Sequence, residues 1–218
     1  MNKIKVSTKN RILNAAEQLF CELGFDNTSL RNITSEANVN LASVNYHFGS
    51  KKQLIQDVLH RYLQVLMPQL EQGIDELIEA GDLSSEKLFN ALVDPLMSLE
   101  QVRPNGTKIF VQLFARAYYE SQGHLRKFIT NQYGTSLKRL NKALHLAVPH
   151  LSTNEVFWRW HFALGSCVFT MASSKALSEI AAADYHQHME IEDLIKKVIH
   201  YIAAGFSAPQ PEKVRLVS

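Results

Sequence analysis

An all-α fold of about nine helices is what this sequence predicts, and three observations carry the prediction. Apolar residues recur at three- and four-residue spacing almost from end to end, no run of alternating apolar and polar residues is long enough to need a sheet, and helix-capping residues punctuate the helical stretches. A first helix is expected over 8–23, with Ile12, Leu13, Ala16, Leu19 and Phe20 on one face and Gly24 as its stop. Thr28 or Ser29 caps a short second helix that turns Leu30, Ile33 and Ala37 inward and breaks at Asn38. A third starts at Asn40 and ends at Phe48-Gly49, with Val44 and Phe48 stacked one turn apart. Ser50 and Gln53 form a capping box that opens a long helix from Lys51 towards Ala80, kinked or split at Pro68.

Beyond Gly81 the turn 82–85 starts a helix through Leu88, Leu92, Leu96 and Leu99, bent at Pro95. The turn Arg103-Pro104-Asn105-Gly106 separates it from an aromatic-rich helix that ends at Gly123. A helix from about Leu125 to Val148 stops at Pro149, and Ser152 with Glu155 makes a second capping box for a helix running to about Ile180. The last helix covers 190–206. The expected organisation is a small head at 1–52, a larger helical body at 53–206 and a disordered tail at 207–218.

Composition narrows the function. A chain of 218 residues is long enough for a real apolar core without a metal or disulfide, and Cys21 and Cys167 read as two buried thiols. No stretch is apolar enough to span a bilayer and the start lacks a signal peptide, so a cytoplasmic protein with no membrane partner is expected. The formal charge of +2 is unevenly placed, with +3 in residues 1–62 and −1 in the remainder. A basic first quarter is the footprint of a phosphate-binding module.

Two short helices joined by about three residues, the second led by small polar side chains, have the form that enters a DNA major groove. Asn38 stands where the chain must reverse, and Asn accepts a left-handed backbone better than any residue but Gly. With Val44 and Phe48 inward, Leu41, Ala42, Asn45 and Tyr46 lie on the opposite face. Asn45 can present its amide to adenine, and Leu41 or Ala42 can touch a thymine methyl. Arg31, Ser43, Tyr46, His47 and Lys51 suit phosphates, and Thr28 and Ser29 complete the expected DNA-binding set.

The runs Thr28-Ser29-Leu30-Arg31-Asn32-Ile33 and Asn38-Val39-Asn40-Leu41-Ala42-Ser43-Val44-Asn45-Tyr46-His47-Phe48-Gly49-Ser50-Lys51 resemble the TetR family signature. That resemblance implies an all-α protein whose three-helix head binds operator DNA and whose body dimerises and holds a ligand pocket. This chain departs from the usual pattern in having Asn38 where Gly is frequent and Asn45 where Tyr is frequent, which implies a different base preference. Residues 42–52, 121–127 and 157–165 are similar to the PsrA-type regulators of fatty-acid degradation. That narrower resemblance implies release from DNA by a long-chain fatty acid or its acyl-CoA ester.

In the body, the last helix carries an apolar stripe that includes Leu194, Ile195, Val198 and Ile202, and the helix before it is apolar on more than one side. Pairing of two such helices across a two-fold axis makes a homodimer, with Val168 and Met171 added to those four as interface candidates. Phe89, Phe110, Phe114, Tyr118, Trp158 and Phe162 are candidates to line a pocket for a hydrophobic effector, and Arg116, Arg126, Arg159 or His161 to receive its acidic head. No cofactor is expected. His186 and His188 are two apart and point to different helix faces, so no metal site is expected.

Three other readings compete. A repressor of an efflux or detoxification gene would sense a different hydrophobic molecule. An acyl-CoA-acting helical enzyme lacks any Gly-x-Ser-x-Gly, Gly-x-Gly-x-x-Gly, phosphate-loop or His-Glu-x-x-His motif. A helical adaptor would need neither the basic head nor the polar third helix.

Overall fold

The computed structural model describes residues 7–119 and 123–210. Residues 1–6, 120–122 and 211–218 lie outside the described residues, as does the side chain of Tyr118, so the expectations placed on them are not addressed. In chain order the elements are α1 (Thr8–Leu23), α2 (Leu30–Glu36), α3 (Leu41–Phe48), α4 (Lys51–Glu79), α5 (Ser85–Asn90), α6 (Val93–Met97), a 3₁₀ turn (Ser98–Gln101), α7 (Gly106–Tyr119), α8 (Gly123–Ala147), α9 (Thr153–Ala172), α10 (Ser174–Tyr185) and α11 (Ile191–Ser207). No strand occurs among the described residues, and no helix is long and apolar enough to cross a membrane.

The first four helices begin where local chemistry predicts. Ser7, Ser29, Asn40 and Ser50 each accept a backbone N–H three residues on, which satisfies one of the donors a helix start leaves open and contributes about 1 kcal/mol per cap. The cap of α2 is Ser29, because Thr28 is occupied elsewhere. Pro68 neither splits α4 nor ends it; the helix is continuous through it. The stretch after Gly81 departs further from expectation, since one bent helix is replaced by α5, α6 and the 3₁₀ turn. The single helix expected to reach Ile180 breaks at Ser173 into α9 and α10.

The chain falls into two compact units, Met1–Val65 with Leu99–Gln132, and Leu66–Ser98 with Tyr133–Ser218. This division differs from the boundary expected at 52/53: α1 of the head packs on α7, and α4 meets the start of α8 through Gln56 with His124 (3.4 Å) and His60 with Phe128. In the first unit Ile12, Ala16, Phe20, Phe25, Ile33, Val44, Leu54 and Val58 are fully buried, and the Phe20 and Phe25 rings meet edge to face at 5.2 Å. The unit also buries a carboxylate. Glu17 of α1 is fully enclosed, accepts a hydrogen bond from the Tyr62 hydroxyl at 2.7 Å, and pairs with Arg61 at 3.3 Å and with Arg103.

Arg103 reaches Glu17 from a tightly built turn. Glu100 accepts the N–H groups of Asn105 (2.8 Å) and Thr107 (3.3 Å), Asn105 is left-handed at φ 61°, and a side chain at Gly106 would overlap the Leu99 carbonyl oxygen. Burial and the neighbouring Glu17 carboxylate push the Tyr62 hydroxyl well above its usual range, so it stays a donor to Glu17. The Cys21 thiol is pushed up to about 12, chiefly by burial and then by Glu17, and Cys167 of the second unit to about 11 by burial. Both cysteines are free thiols.

The second unit is organised around α11. Leu194, Ile195, Val198, Ile199, Ile202, Ala203 and Phe206 are all buried, against α5, α6 and α9 of the same chain. The Phe206 ring lies 4.8 Å from Phe89, and the hydroxyls of Ser207 and Ser85 share a hydrogen bond of 2.6 Å. Leu194, Ile195, Val198 and Ile202 are therefore core, together with Met171, and not the dimer contacts expected from the stripe. Each buried aliphatic side chain of this kind contributes about 2 kcal/mol, which the monomer already collects. Residues 207–210 are not a loose tail either. Arg159 donates to the carbonyls of Gly205, Ala208 and Pro209 at 2.6 to 2.9 Å, and Gln210 accepts from the N–H of Ser152 at 2.8 Å.

Candidate nucleic-acid interface

The geometry of the head follows from one left-handed residue. After α2, Ala37 is buried and Asn38 adopts φ 50°, so the chain reverses within three residues and Asn40 is placed to cap α3. The Asn40 side-chain oxygen accepts from the N–H of Ser43 at 2.8 Å and from its hydroxyl at 2.9 Å. Val44 and Phe48 then lock α3 into the core, at 0% and 4% exposure.

The other side of α3 is left to solvent. Leu41 is 45% and Tyr46 85% exposed, and Ala42 and Asn45 are exposed with them. An exposed leucine and tyrosine beside a carboxamide with no hydrogen bond to another described residue make poor solvent surface but a good base-reading surface. Arg31 is exposed on α2; Ser43, His47 and Lys51 are half-buried around the same helix. Lys51 sends its ammonium towards the Asp26 carbonyl at 3.4 Å, and the His47 ring stands edge-on between those of Tyr46 and Phe48. Nine of the expected residues thus fall in this region of the head. Thr28 does not belong with them: it is fully buried and its hydroxyl is taken by the carbonyls of Gly24 (2.7 Å) and Leu19 (3.1 Å), so it ties the end of α1 to the start of α2.

The expected effector residues are divided between the two units. Phe110 and Phe114 pack in the first unit, with the Phe110 ring tilted against Tyr62 at 5.8 Å. Arg116 donates to the carbonyls of Cys21 (2.9 Å) and Glu22 (3.2 Å) at the end of α1, and Arg126 is exposed on α8. In the second unit Phe89 is core, and Arg159 is held by Glu155 at 2.8 Å and by the end of α11. Arg116 and Arg159 are therefore helix-terminating clamps, a use that sequence spacing does not reveal because the capped carbonyls are 94 and 46 residues away.

What the second unit does contain is a groove of about 360 Å³, open to solvent, between the second half of α8 and the first half of α9. Leu137, Leu140, Leu144, Val156, Phe157 and Trp160 supply its apolar wall, and Asn141, His145 and Thr153 its polar groups. None of these nine was among the expected pocket residues. The signal that could have found them is the Leu137, Leu140, Leu144 spacing facing a neighbouring aromatic helix. On the outside of α9, Trp158 (50%), Phe162 (66%) and Phe169 (63%) form an exposed aromatic stripe in which Gly165 leaves open space, and the His161 ring lies against Phe157 at 4.1 Å. Val168 is half-buried on the same helix.

Comparison with known proteins agrees with this layout. Residues 12–58 match the family described as bacterial regulatory proteins, tetR family, and residues 90–205, more than half of the chain, match the tetracyclin repressor-like C-terminal domain. The chain is 31% identical over 93 residues to YttP, a probable HTH-type transcriptional regulator of Bacillus subtilis, covering 43% of this chain and 44% of YttP. It is 32% identical over 136 residues to IcaR of Staphylococcus aureus, the negative transcriptional regulator of the biofilm operon icaADBC, covering 62% of this chain and 64% of IcaR. The chain thus spans less than two thirds of either relative. A solved mutant of HlyIIR superposes over 91% of this chain and 97% of its own with TM-score 0.58 and 21% identity. A Clostridium perfringens structure provisionally named a fatty acid metabolism regulator does so over 89% and 97% with TM-score 0.56 and 20% identity. With a helix-turn-helix head and a helical body each matched by its own family description, the chain belongs to the TetR family.

Proposed function

We propose that this protein is a dimeric, ligand-responsive transcriptional repressor that reads operator DNA with α3 and controls genes of fatty-acid metabolism. The observation that carries the DNA-binding part is the division of α3 into a buried face, Val44 and Phe48, and an exposed face, Leu41, Ala42, Asn45 and Tyr46. A helix of that kind, with its N-terminal residues presented and its neighbours Arg31, His47 and Lys51 flanking it, has the size and chemistry of a major-groove reader. Dimerisation is supported by the aromatic stripe of α9, where three large aromatic side chains on one helix face are each half or more exposed, the kind of apolar patch that marks protein interfaces. The symmetric contact runs through Trp158, Phe162 and Phe169, with Gly165 allowing close approach of the two helices. A hydrophobic effector such as a long-chain fatty acid or acyl-CoA releases the DNA by favouring a body geometry in which the two heads no longer match groove spacing.

The fatty-acid part is supported by the Clostridium perfringens structural neighbour and by the apolar groove of the second unit. A repressor of the IcaR kind, tied to a different operon and a different hydrophobic signal, is the second reading, favoured by IcaR's longer matched span. A gel-shift titration against the gene's own upstream region tests the proposal. A sequence-dependent shift that weakens steeply with salt is expected, and addition of a long-chain fatty acid or its coenzyme A ester should reverse it. No shift at low salt would remove the regulator reading; a shift untouched by lipids would leave the second reading.

A further inference from the structure

We infer that Lys9, at the start of α1, is a further contact to the DNA backbone, an ammonium that binds one operator phosphate from beside the end of α3. The inference rests on the reading of the head as the operator-binding part of the chain, and it adds a residue from outside the two helices of the motif.

Lys9 is the second residue of α1, two after the Ser7 cap, and its side chain is exposed. Its ammonium lies over the Phe48 ring, 5.9 Å from the centroid, within reach of the negative face of an aromatic ring. Phe48 is the last residue of α3, and the His47 ring meets it at 6.1 Å. Lys9 and His47, the latter already among the expected phosphate contacts, thus flank one ring at the end of the reading helix. Phe48 is held in the core at 4% exposure, so it gives the flexible lysine a fixed point to lie against.

The charge at this spot is not spent inside the chain. Lys9 makes no hydrogen bond or ion pair to another described residue. Asp57 of α4 lines the same surface groove, yet its carboxylate accepts from the Gln53 amide at 2.7 Å and leaves Lys9 unpaired. The cation does not serve its own helix either, because the N-terminal end is the positive end of the helix dipole and a lysine in the first turn works against it. No acid in the first turn of α1 offsets this, and the pattern repeats in α2 and α4, which begin with Arg31 and with Lys51 and Lys52, again without an acid. In the second unit α5, α6, α9 and α11 show the opposite order, with Glu86, Asp94, Glu155 and the pair Glu192 and Asp193 in their first turns. Cations set against the helix dipoles of the head suit an external polyanion. A lysine is a point charge without a fixed fork of donors, so it takes a backbone phosphate and reads no base.

Lys9→Ala and Lys9→Arg test this beside Lys175→Ala, which removes the same charge from the exposed surface of α10. Binding to the upstream region of the gene is measured by fluorescence anisotropy from about 50 to about 200 mM salt. Lys9→Ala should weaken binding and make the plot of log affinity against log salt shallower by about 0.9 for each bound head, so that with two heads the gap from the unmodified protein narrows about ten-fold across that range. The loss should be the same factor on the operator and on its single-base variants. Lys9→Arg should restore the slope, and Lys175→Ala should leave it unchanged; circular dichroism melts of all three check that the fold is kept. A Lys9→Ala slope equal to that of Lys175→Ala would overturn the contact and leave the reading of DNA by the head standing. A loss confined to particular base-pair variants would overturn it in favour of base reading. No binding by the unmodified protein at low salt would remove the regulator reading, and the contact with it.

Discussion

Asn45 sits on an eight-residue helix whose opposite side is held in the core, so its backbone position is fixed while its exposed carboxamide has no hydrogen bond to another described residue. In the proposed function that carboxamide meets a base edge from a helix that needs no reordering on binding. Asn45→Ala is therefore expected to weaken operator binding by about 1–3 kcal/mol and to flatten the preference at one base pair of each half-site. Fluorescence anisotropy against the operator and its single-base variants measures both, and unchanged affinity and preference would take Asn45 out of the reading set. Asn38 and Asn40 act one step earlier: the left-handed turn at Asn38 and the cap at Asn40 set the angle at which α3 leaves the head. Their roles were legible from sequence because each depends on neighbours within three residues. Thr28 was misplaced by the same reasoning, since nothing local says that its hydroxyl will be buried on the carbonyls of Leu19 and Gly24.

Among the elements, the firmest long-range tie is Glu17, which binds α1 to Arg61 and Tyr62 of α4 and to Arg103 before α7. Glu17→Ala leaves two arginines and a buried hydroxyl without their acceptor, and is expected to cost about 3 kcal/mol of stability. Urea denaturation followed by circular dichroism checks this, and a loss below about 1 kcal/mol would mean that water replaces the carboxylate. Spacing alone does not single out Glu17: it shares the buried face of α1 with Leu13, Ala16 and Phe20, and the arginines and hydroxyl that make a carboxylate tolerable there come from 44 to 86 residues away. The stripe of α11 was legible as buried but not as to what buries it: periodicity gives a face, while α5, α6 and α9 being its partners is a matter of topology. The same holds for the break at Ser173, where no Pro or Gly marks the end of α9. The starts of α2, α3, α4 and α9, by contrast, fall where their caps are written.

For the whole molecule, the proposed function depends on two copies. One α3 offers a single short helix to the groove, and a two-fold pair of heads spans consecutive major-groove faces about 34 Å apart. In that pairing the stripe of Trp158, Phe162 and Phe169 is buried, because most of the apolar face of α11 is already taken up inside its own chain, with Tyr201 left exposed. The direct measurement is hydroxyl-radical footprinting of the protein on the upstream region of its own gene. A two-fold pair of heads gives paired protections related by a dyad, with centres about one helical turn, roughly 10 base pairs, apart on one face of the duplex. A single unpaired protection, or none at protein concentrations that saturate the gel shift, would contradict it.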